Sequence, residues 1–406
     1  MQEPKRQGPL AGVTVIELAH IMAGPVCGLM LADMGATVIK VEKSEGGDDT
    51  RRMVPPSLAG ESAAYLMMNR GKRGIALDLK HPDGKAVLRR LARDADILIE
   101  NYRAGTMERL GLGYESLRAG NPGLIYCSLS GFGRTGPYAD RAGFDLVAQG
   151  MSGLMSITGE GPGRPPVKSG APVTDITAGI LAAMGVLAAY SHRLKTGEGQ
   201  QVDTSLFEAG IVQTYWQSAI ALATGVAPGP MGSAHPLNAP YEAFPTADGW
   251  ITVGAANQTN WLRLLAVLGA EALAEDPRFA DNRGRMAHRQ DLAAVLAAHF
   301  REATSAEWLA RLEAGGVPAG PVLDVAAMHR DPQTLAREMV VEVDHPRAGP
   351  MRTLGLPVKF SGTPGRVHGP APLLGEHSRA ILGQHGYDAA AIDDLIARGV
   401  VREGGS

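Results

Sequence analysis

Through the first two hundred residues, apolar runs of strand length alternate with stretches of helical period. Val13–Leu18 reads as a buried strand, followed by Met22–Gly28 and a helix to about Asp33. Ala36–Glu42 is a second strand, bounded by Gly35 and by Gly46 and Gly47. Ile75–Leu79 is a third, followed by a helix from near His81 to Arg93. Asp96–Glu100 and Leu124–Leu129 are a fourth and a fifth. Strands that alternate with helices of this length predict βαβ units and a mostly parallel sheet, the α/β class. An uncharged apolar helix is expected from Ile176 to Tyr190, then a hairpin-like turn at Lys195–Asp203 leading into a strand, and one long helix from Ser205 to Thr224. Gly225–Pro236 is the segment richest in Pro and Gly and reads as a linker or loop. Beyond it, a strand at Trp250–Gly254 and helices at Thr259–Gly269, Arg289–Ala303 and Ser305–Ala314 predict a smaller α+β domain. From about Ala326 the chain is punctuated by prolines, and it closes on a helix at Asp388–Arg398.

Bulk properties bound the class without naming it. At 406 residues the chain exceeds the roughly 250–300 at which single cores stop growing, so two domains are expected. Its 45% apolar and 20% charged residues are an ordinary globular balance. A net charge of −3 leaves no electrostatic footprint for nucleic acid or an anionic membrane. Cys27 and Cys127, a hundred residues apart, suggest neither a disulfide framework nor a zinc motif. The first residues lack the apolar core of a signal peptide, and no apolar run reaches spanning length without polar interruption. A cytoplasmic enzyme without membrane or nucleic-acid partners is the expectation.

Candidate chemistry concentrates in two places. Asp175 is a lone carboxylate where the Gly/Pro-rich stretch Gly163–Thr174 enters the apolar helix. Such a group can cap the helix by accepting bonds from its first N–H groups. It can also act as a nucleophile that forms an acyl intermediate. Local pattern leaves both open. The second place is the set of segments leaving the carboxyl ends of the strands, where α/β sheets bind ligands. His20–Pro25, Glu42 and Lys43, Lys80, Asn101 and Tyr102, and Ser130–Gly136 supply cations, an aromatic ring and glycines suited to a phosphate-bearing, partly planar ligand. Gly131–Gly136 matches G-x-G-x-x-G literally, but Pro137 and Gly143 do not suit the required helix and no strand follows. A dinucleotide fingerprint is not expected there.

A family resemblance rests on many such segments together. Leu18–Pro25, Leu31–Glu42, Gly47–Arg51, Asn69–Lys80, Glu100–Gly105, Arg109–Tyr114, Ser130–Pro137, Lys195–Gly199 and Gly316–Pro321 resemble the class III CoA-transferases. That family includes formyl-CoA transferase, dicarboxylate CoA-transferases and α-methylacyl-CoA racemase, and the resemblance runs from about Pro9 to Gly399. It implies a Rossmann-like large domain built from N- and C-terminal parts, a smaller inserted α+β domain, and a homodimer whose chains interlock like links. On that plan residues 1–200 form the N-terminal part of the large domain, 201–235 a linker helix and loop, 236–325 the small domain, and 326–406 the return linker and C-terminal part. Asp175 aligns with the acyl-accepting nucleophile. His20, Met22, Ala23, Lys43, Leu77, Lys80, Asn101, Tyr102, Arg109 and Leu110 align with CoA-contacting stretches, and Phe144 and Asp145 are counted with them.

The resemblance also separates branches. In the racemase branch a histidine stands where Gly143-Phe144-Asp145 has phenylalanine, and a phenyl ring cannot accept a proton. Met22 stands where formyl-CoA transferase has glutamine, and the glycine-rich loop of that enzyme has no clear counterpart, Gly232–Pro236 lying nearby instead. The pattern most resembles the branch that uses succinyl-CoA and C4–C6 dicarboxylic acids. Arg51, Arg164, Lys168 and His235 are candidates to read a distal carboxylate. CoA and acyl-CoA are implied as substrates, with no permanent cofactor and no metal. A racemase or isomerase with a different base, or a non-catalytic CoA-binding protein, are the alternatives.

Overall fold

The computed structural model describes residues 6–404. Each of the five apolar runs becomes a strand of one sheet: β1 (Thr14–Glu17), β2 (Thr37–Lys43), β3 (Arg73–Leu77), β4 (Ile97–Glu100) and β5 (Ile125–Ser130). β6 (Gln201–Ser205) and β7 (Val401–Arg402) complete it, in the order β7-β3-β2-β1-β4-β5-β6. Every neighbouring pair is parallel except β7, which runs antiparallel to β3 with Val401 opposite Leu77.

Successive residues of a strand feed opposite layers, which is why these runs are apolar throughout. Val15, Val38, Ile97, Ile125 and Cys127 face one layer, with helix α1 (Ala23–Asp33). Ile16, Ile39, Leu98 and Tyr126 face the other, with Val87, Leu88 and Leu91 of helix α2 (Pro82–Asp94). α2 carries clear start signals: His81 Nδ1 accepts the Asp83 N–H, and Pro82 occupies the first turn. The thiols of Cys27 and Cys127 meet in the first layer, where that contact and burial push Cys127 well above its ordinary pKa. Both are inert core residues by this placement.

Two more helices matter below, α3 (Asp145–Met151) and α4 (Val173–Thr196). α4 has 24 residues, and an 18-residue stretch of it reaches a mean hydropathy of 1.6, long and apolar enough to cross a membrane although Asp175 interrupts it. In the fold its Ala178, Ala182, Val186 and Ala189 face is buried in the α1 layer. Gly179 makes the approach possible, since a Cβ there would lie 2.6 Å from the Ala23 carbonyl oxygen and 2.6 Å from Val26 Cβ.

The expected helix Ser205–Thr224 is two, Leu206–Val212 and Tyr215–Thr224. The break falls at Gln213, whose amide turns back to donate to the Val173 carbonyl and the Thr177 hydroxyl of α4. The segment expected as linker also begins inside the sheet, as β6. The chain divides into two compact units, one of Met1–Ser152, Gly170–Gln213 and Pro332–Ser406, the other of Gly153–Ser169 and Thr214–Asp331. The second holds a three-stranded antiparallel sheet of Tyr241–Pro245, Trp250–Gly254 and Ala319–Pro321. Trp261, Phe244, Phe279, Phe300 and Trp308 form its core.

Gly179→Leu is expected to destabilise the protein by at least about 1–3 kcal/mol, because neither the Ala23 backbone nor Val26 Cβ is a flexible side-chain end. Chemical denaturation followed by circular dichroism checks this, and an unchanged midpoint would refute the packing account.

Candidate active site

The strand order reverses beside β1, with β2 on one side and β4 on the other. The loops leaving β1 and β4 therefore flank the crevice in which such sheets bind ligands. Side chains tie these loops together. Asn101, the first residue past β4, accepts the His20 N–H through Oδ1 at 2.9 Å and donates through Nδ2 to the His20 carbonyl at 2.8 Å. The His20 ring meets Tyr102 edge-on, with centroids 4.9 Å apart. Burial lowers the His20 pKa, and Lys40 and Lys43 act in the same direction against Asp48 and Asp49, which favours the neutral ring. Met22 is the N-cap of α1 and buried Ala23 its first residue.

A cleft of about 950 Å³ opens at the carboxyl ends of β2 and β3. Lys43, Leu77, Lys80, Tyr102 and Leu110 line it. Arg109 donates to the hydroxyl of Thr106, another lining residue, at 3.0 Å. The volume lies within the range of small-molecule sites, and the wall combines apolar side chains with amines. Ile396, Val401 and Arg402 supply a wall that no local pattern announced, because they reach it only through the pairing of β7 with β3.

Asp175 stands in the first turn of α4 but does not cap it, since Pro172 holds that position without a side-chain bond. The cap bonds come from Asp145 instead. Its Oδ1 accepts the Thr174 N–H at 3.0 Å and the Thr174 hydroxyl at 2.8 Å, and its Oδ2 accepts from Gln149 at 2.8 Å. Asp175 is left half-buried, with no hydrogen-bond donor to its carboxylate among the described residues. Burial raises its pKa to about 6, and the charge of Asp145 adds to the effect. Gly179, one turn later on the same face, meets α1 at Ala23, which sets Asp175 at the level where α1 begins.

Two glycines bring α3 to this place. A Cβ on Gly131, just past β5, would lie 2.7 Å from Gly143 Cα, so the backbones pack directly on each other. Between them Arg134 clamps the loop: its N–H donates to Asp203 Oδ2 at 3.0 Å, and its guanidinium donates to Glu100 at 3.0 Å and to Glu108. Gly131–Gly136 is thus a pinned loop, not the opening turn of a helix. Arg134 was absent from the expected site residues, although an arginine inside a glycine-rich loop after a strand was a readable signal. Phe144 precedes α3 with its side chain 72% exposed.

The four candidate carboxylate readers have different fates. Arg51 is committed to its own unit: its guanidinium donates to both Glu42 oxygens at 2.7 Å, to Tyr65 Oη at 2.5 Å and to the Pro372 carbonyl at 3.0 Å. Arg164, Lys168 and His235 belong to the second unit. Arg164 pairs with Glu160 at 3.0 Å, both exposed, and Lys168 donates to the Ser169 carbonyl at 2.8 Å. His235 sits between Trp216 and Tyr241, with ring centroids 5.8 and 5.2 Å away. Among the described residues no group of three or more His, Cys, Asp or Glu side chains could hold a metal ion.

The sequence profile described as CoA-transferase family III matches residues 10–378. A succinate–glutarate CoA-transferase from Agrobacterium fabrum is 45% identical over 94% of this chain and 96% of its own length. An acetyl-CoA:oxalate CoA-transferase from Acetobacter aceti is 39% identical over 93% and 96%. Among solved structures, a CAIB/BAIF family protein from Brucella suis is 41% identical and superposes with a TM-score of 0.83 over 94% of this chain and all of that one.

The raised pKa of Asp175 has a stability consequence of definite sign. A folded pKa of about 6 against an ordinary 3.8 means that the proton stabilises the fold. That contribution is complete below pH 3.8 and is lost as the pH rises through 6. Asp175→Asn is therefore expected to be roughly 1–2 kcal/mol more stable than the parent at pH 7.5, after discounting for partial exposure, and no more stable near pH 4. Denaturant titrations at the two pH values measure it; equal gains at both would refute the electrostatic cause.

Proposed function

The chain belongs to CoA-transferase family III, and we propose that it carries CoA from succinyl-CoA to a C4–C6 dicarboxylic acid through covalent intermediates on Asp175. The observation that carries this reading is the state of that carboxylate. It lies half-buried at the positive end of a 24-residue helix, with no bonded donor among the described residues and a fixed second carboxylate beside it. Such a group keeps its lone pairs available and its basicity high, as a nucleophile requires. Asp145 holds the helix start, so Asp175 is spared for chemistry.

In the first step an Asp175 oxygen attacks the thioester carbonyl, and the C–S bond breaks to give a mixed anhydride and CoA thiolate. The thiolate attacks Asp175 Cγ and expels the donor carboxylate, leaving an aspartyl-CoA thioester. The acceptor carboxylate attacks that thioester to form a second anhydride and release the thiolate again. Attack of the thiolate on the acceptor acyl carbon then yields the new acyl-CoA and restores Asp175. No proton or electron is gained or lost overall. A thiolate that stays tethered by its bound nucleotide returns as an intramolecular nucleophile. His20, Met22, Ala23, Asn101 and Tyr102 at the reversal of the sheet, with Lys43, Leu77, Lys80, Arg109 and Leu110 along the cleft, serve as the CoA site in this reading. Exposed Phe144 offers no base, so two-base racemisation lacks a partner here.

The same reading makes the working form a homodimer acting in the cytoplasm. Ile180, Met184 and Leu194 on α4, with Leu146 and Val147 on α3 and Phe144 just before it, are each two-fifths or more exposed, an unusual apolar display for a lone subunit. Arg51, Arg164, Lys168 and His235 are the candidates to read the distal carboxylate of the acid, and Arg51 would have to leave Glu42 to do so.

Asp175→Ala and Asp175→Asn are expected to lose transfer by at least about a thousandfold while still binding CoA. Steady-state assay and calorimetry test this, and hydroxylamine with acyl-CoA should mark Asp175 in mass spectra of the parent only. Near-normal turnover in either folded variant would remove the covalent role.

A panel of acids with succinyl-CoA as donor tests the substrate class. Glutarate, itaconate and related C4–C6 diacids should exceed acetate and propionate by tenfold or more in kcat/KM, because a donor that the bound acid covers but leaves unpaired costs about 1–3 kcal/mol. Oxalate should be poor as well. Equal efficiency for acetate and glutarate would mean that no distal-carboxylate pocket exists.

A further inference from the structure

Ile21 is one of the few non-glycine residues with a left-handed backbone, at φ +67°. A β-branched residue in that region is a true outlier, and such strain persists only where the surroundings enforce it. It stands between His20 and Met22, at the turn from β1 into α1. Three side chains from elsewhere in the chain hold the backbone of this turn. Lys40 Nζ donates to the Ala19 carbonyl at 2.8 Å. Asn101 holds both backbone groups of His20. Asp48 Oδ1 accepts the Ile21 N–H at 3.2 Å, and Lys40 pairs with Asp48 at 2.8 Å beneath it. Asp48 is itself fixed by the N–H and hydroxyl of Thr50 at 2.9 and 2.8 Å, and its N–H donates to Glu42.

We infer that Asp48 and Lys40 are positioning residues of the acyl-CoA site: they enforce the left-handed turn at Ile21 and thereby place His20 and the start of α1. This rests on the reading of the sheet reversal as the CoA site. Neither side chain is open to solvent. Lys40 is fully buried, and Asp48 is 2% exposed. Lys40 and Asp48 nevertheless line the small hollow that also includes His20, Lys43 and Tyr102, so a shift of the turn is felt at the ligand.

The test exploits the strain. Glycine adopts φ +67° without enforcement. In the full-length enzyme, Asp48→Ala should raise KM for succinyl-CoA and Kd for CoA by tenfold or more. Placed in an Ile21→Gly background, the same substitution should raise them less than threefold. Equal losses in both backgrounds would make Asp48 a mere counter-charge for Lys40 and overturn the inference, as would no loss in the first. Should Asp48→Ala not fold, Asp48→Asn carries the test. It keeps the acceptor for the Ile21 N–H, so KM should stay within threefold, and a tenfold rise in folded Asp48→Asn would overturn the positioning role. Failure of the CoA-transferase reading shows separately, as a parent enzyme that binds CoA with the same dependence on Asp48 yet transfers it to no acid.

Discussion

Four charges beneath the carboxyl edge of the sheet hold the large unit together. Glu17 of β1 pairs with Lys40 of β2 at 3.1 Å and with Lys72, just before β3, at 2.8 Å; Lys40 pairs in turn with Asp48. All four side chains are at most 1% exposed, so none can turn to water. Two acids against two amines leave the cluster neutral, the condition under which buried ions are tolerable. Burial lowers Lys72 to about 8, with Glu17 opposing, whereas Glu17 and Asp48 keep Lys40 above its ordinary pKa despite burial. Even the helix packed on the sheet is shaped by this cluster. A Cβ at Gly28 of α1 would lie 1.8 Å from Glu17 Oε2, so a side chain there would push that carboxylate off its amines.

That constraint ties Asp175 and the cleft to one frame. The cluster fixes the ends of β1 and β2, and the turn after β1 starts α1. α1 receives α4 at Gly179, and α4 presents Asp175 one turn earlier. The Asp175 carboxylate is thus positioned through backbone packing, while hydrogen bonding to the helix start is left to Asp145. A division between a bonded aspartate and an unbonded one, side by side, lets the second keep a raised pKa without freeing the helix end.

Much of this was legible along the chain, for physical reasons. Buried parallel strands must be apolar on both faces, so β1 to β5 fall within a residue or two of their expected limits, and Ser305–Ala314 coincides with its helix because Thr304 and Glu307 form a capping box. What escaped depends on partners distant in sequence. Nothing near Gln213 foretold that its amide would reach back to α4 and split a helix. Arg51 looks like any loop cation until Glu42 and Tyr65 are placed beside it. Asp175 satisfied the pattern of a cap, and only the arrival of Asp145 through the Gly131–Gly143 contact removed it from that role. The roles of the site residues came from family resemblance, since periodicity places loops but does not assign their chemistry.

The pairing of Val401 with Leu77 bears on the order in which the molecule is made. β3 leaves the ribosome long before β7 exists. Until then its outer edge offers unpaired backbone groups beside the apolar wall of the unfinished cleft, the kind of edge on which other chains pair. The nascent protein therefore carries an open sheet edge through most of its synthesis. A strand of two residues closes over that edge, and the same event finishes one wall of the cleft.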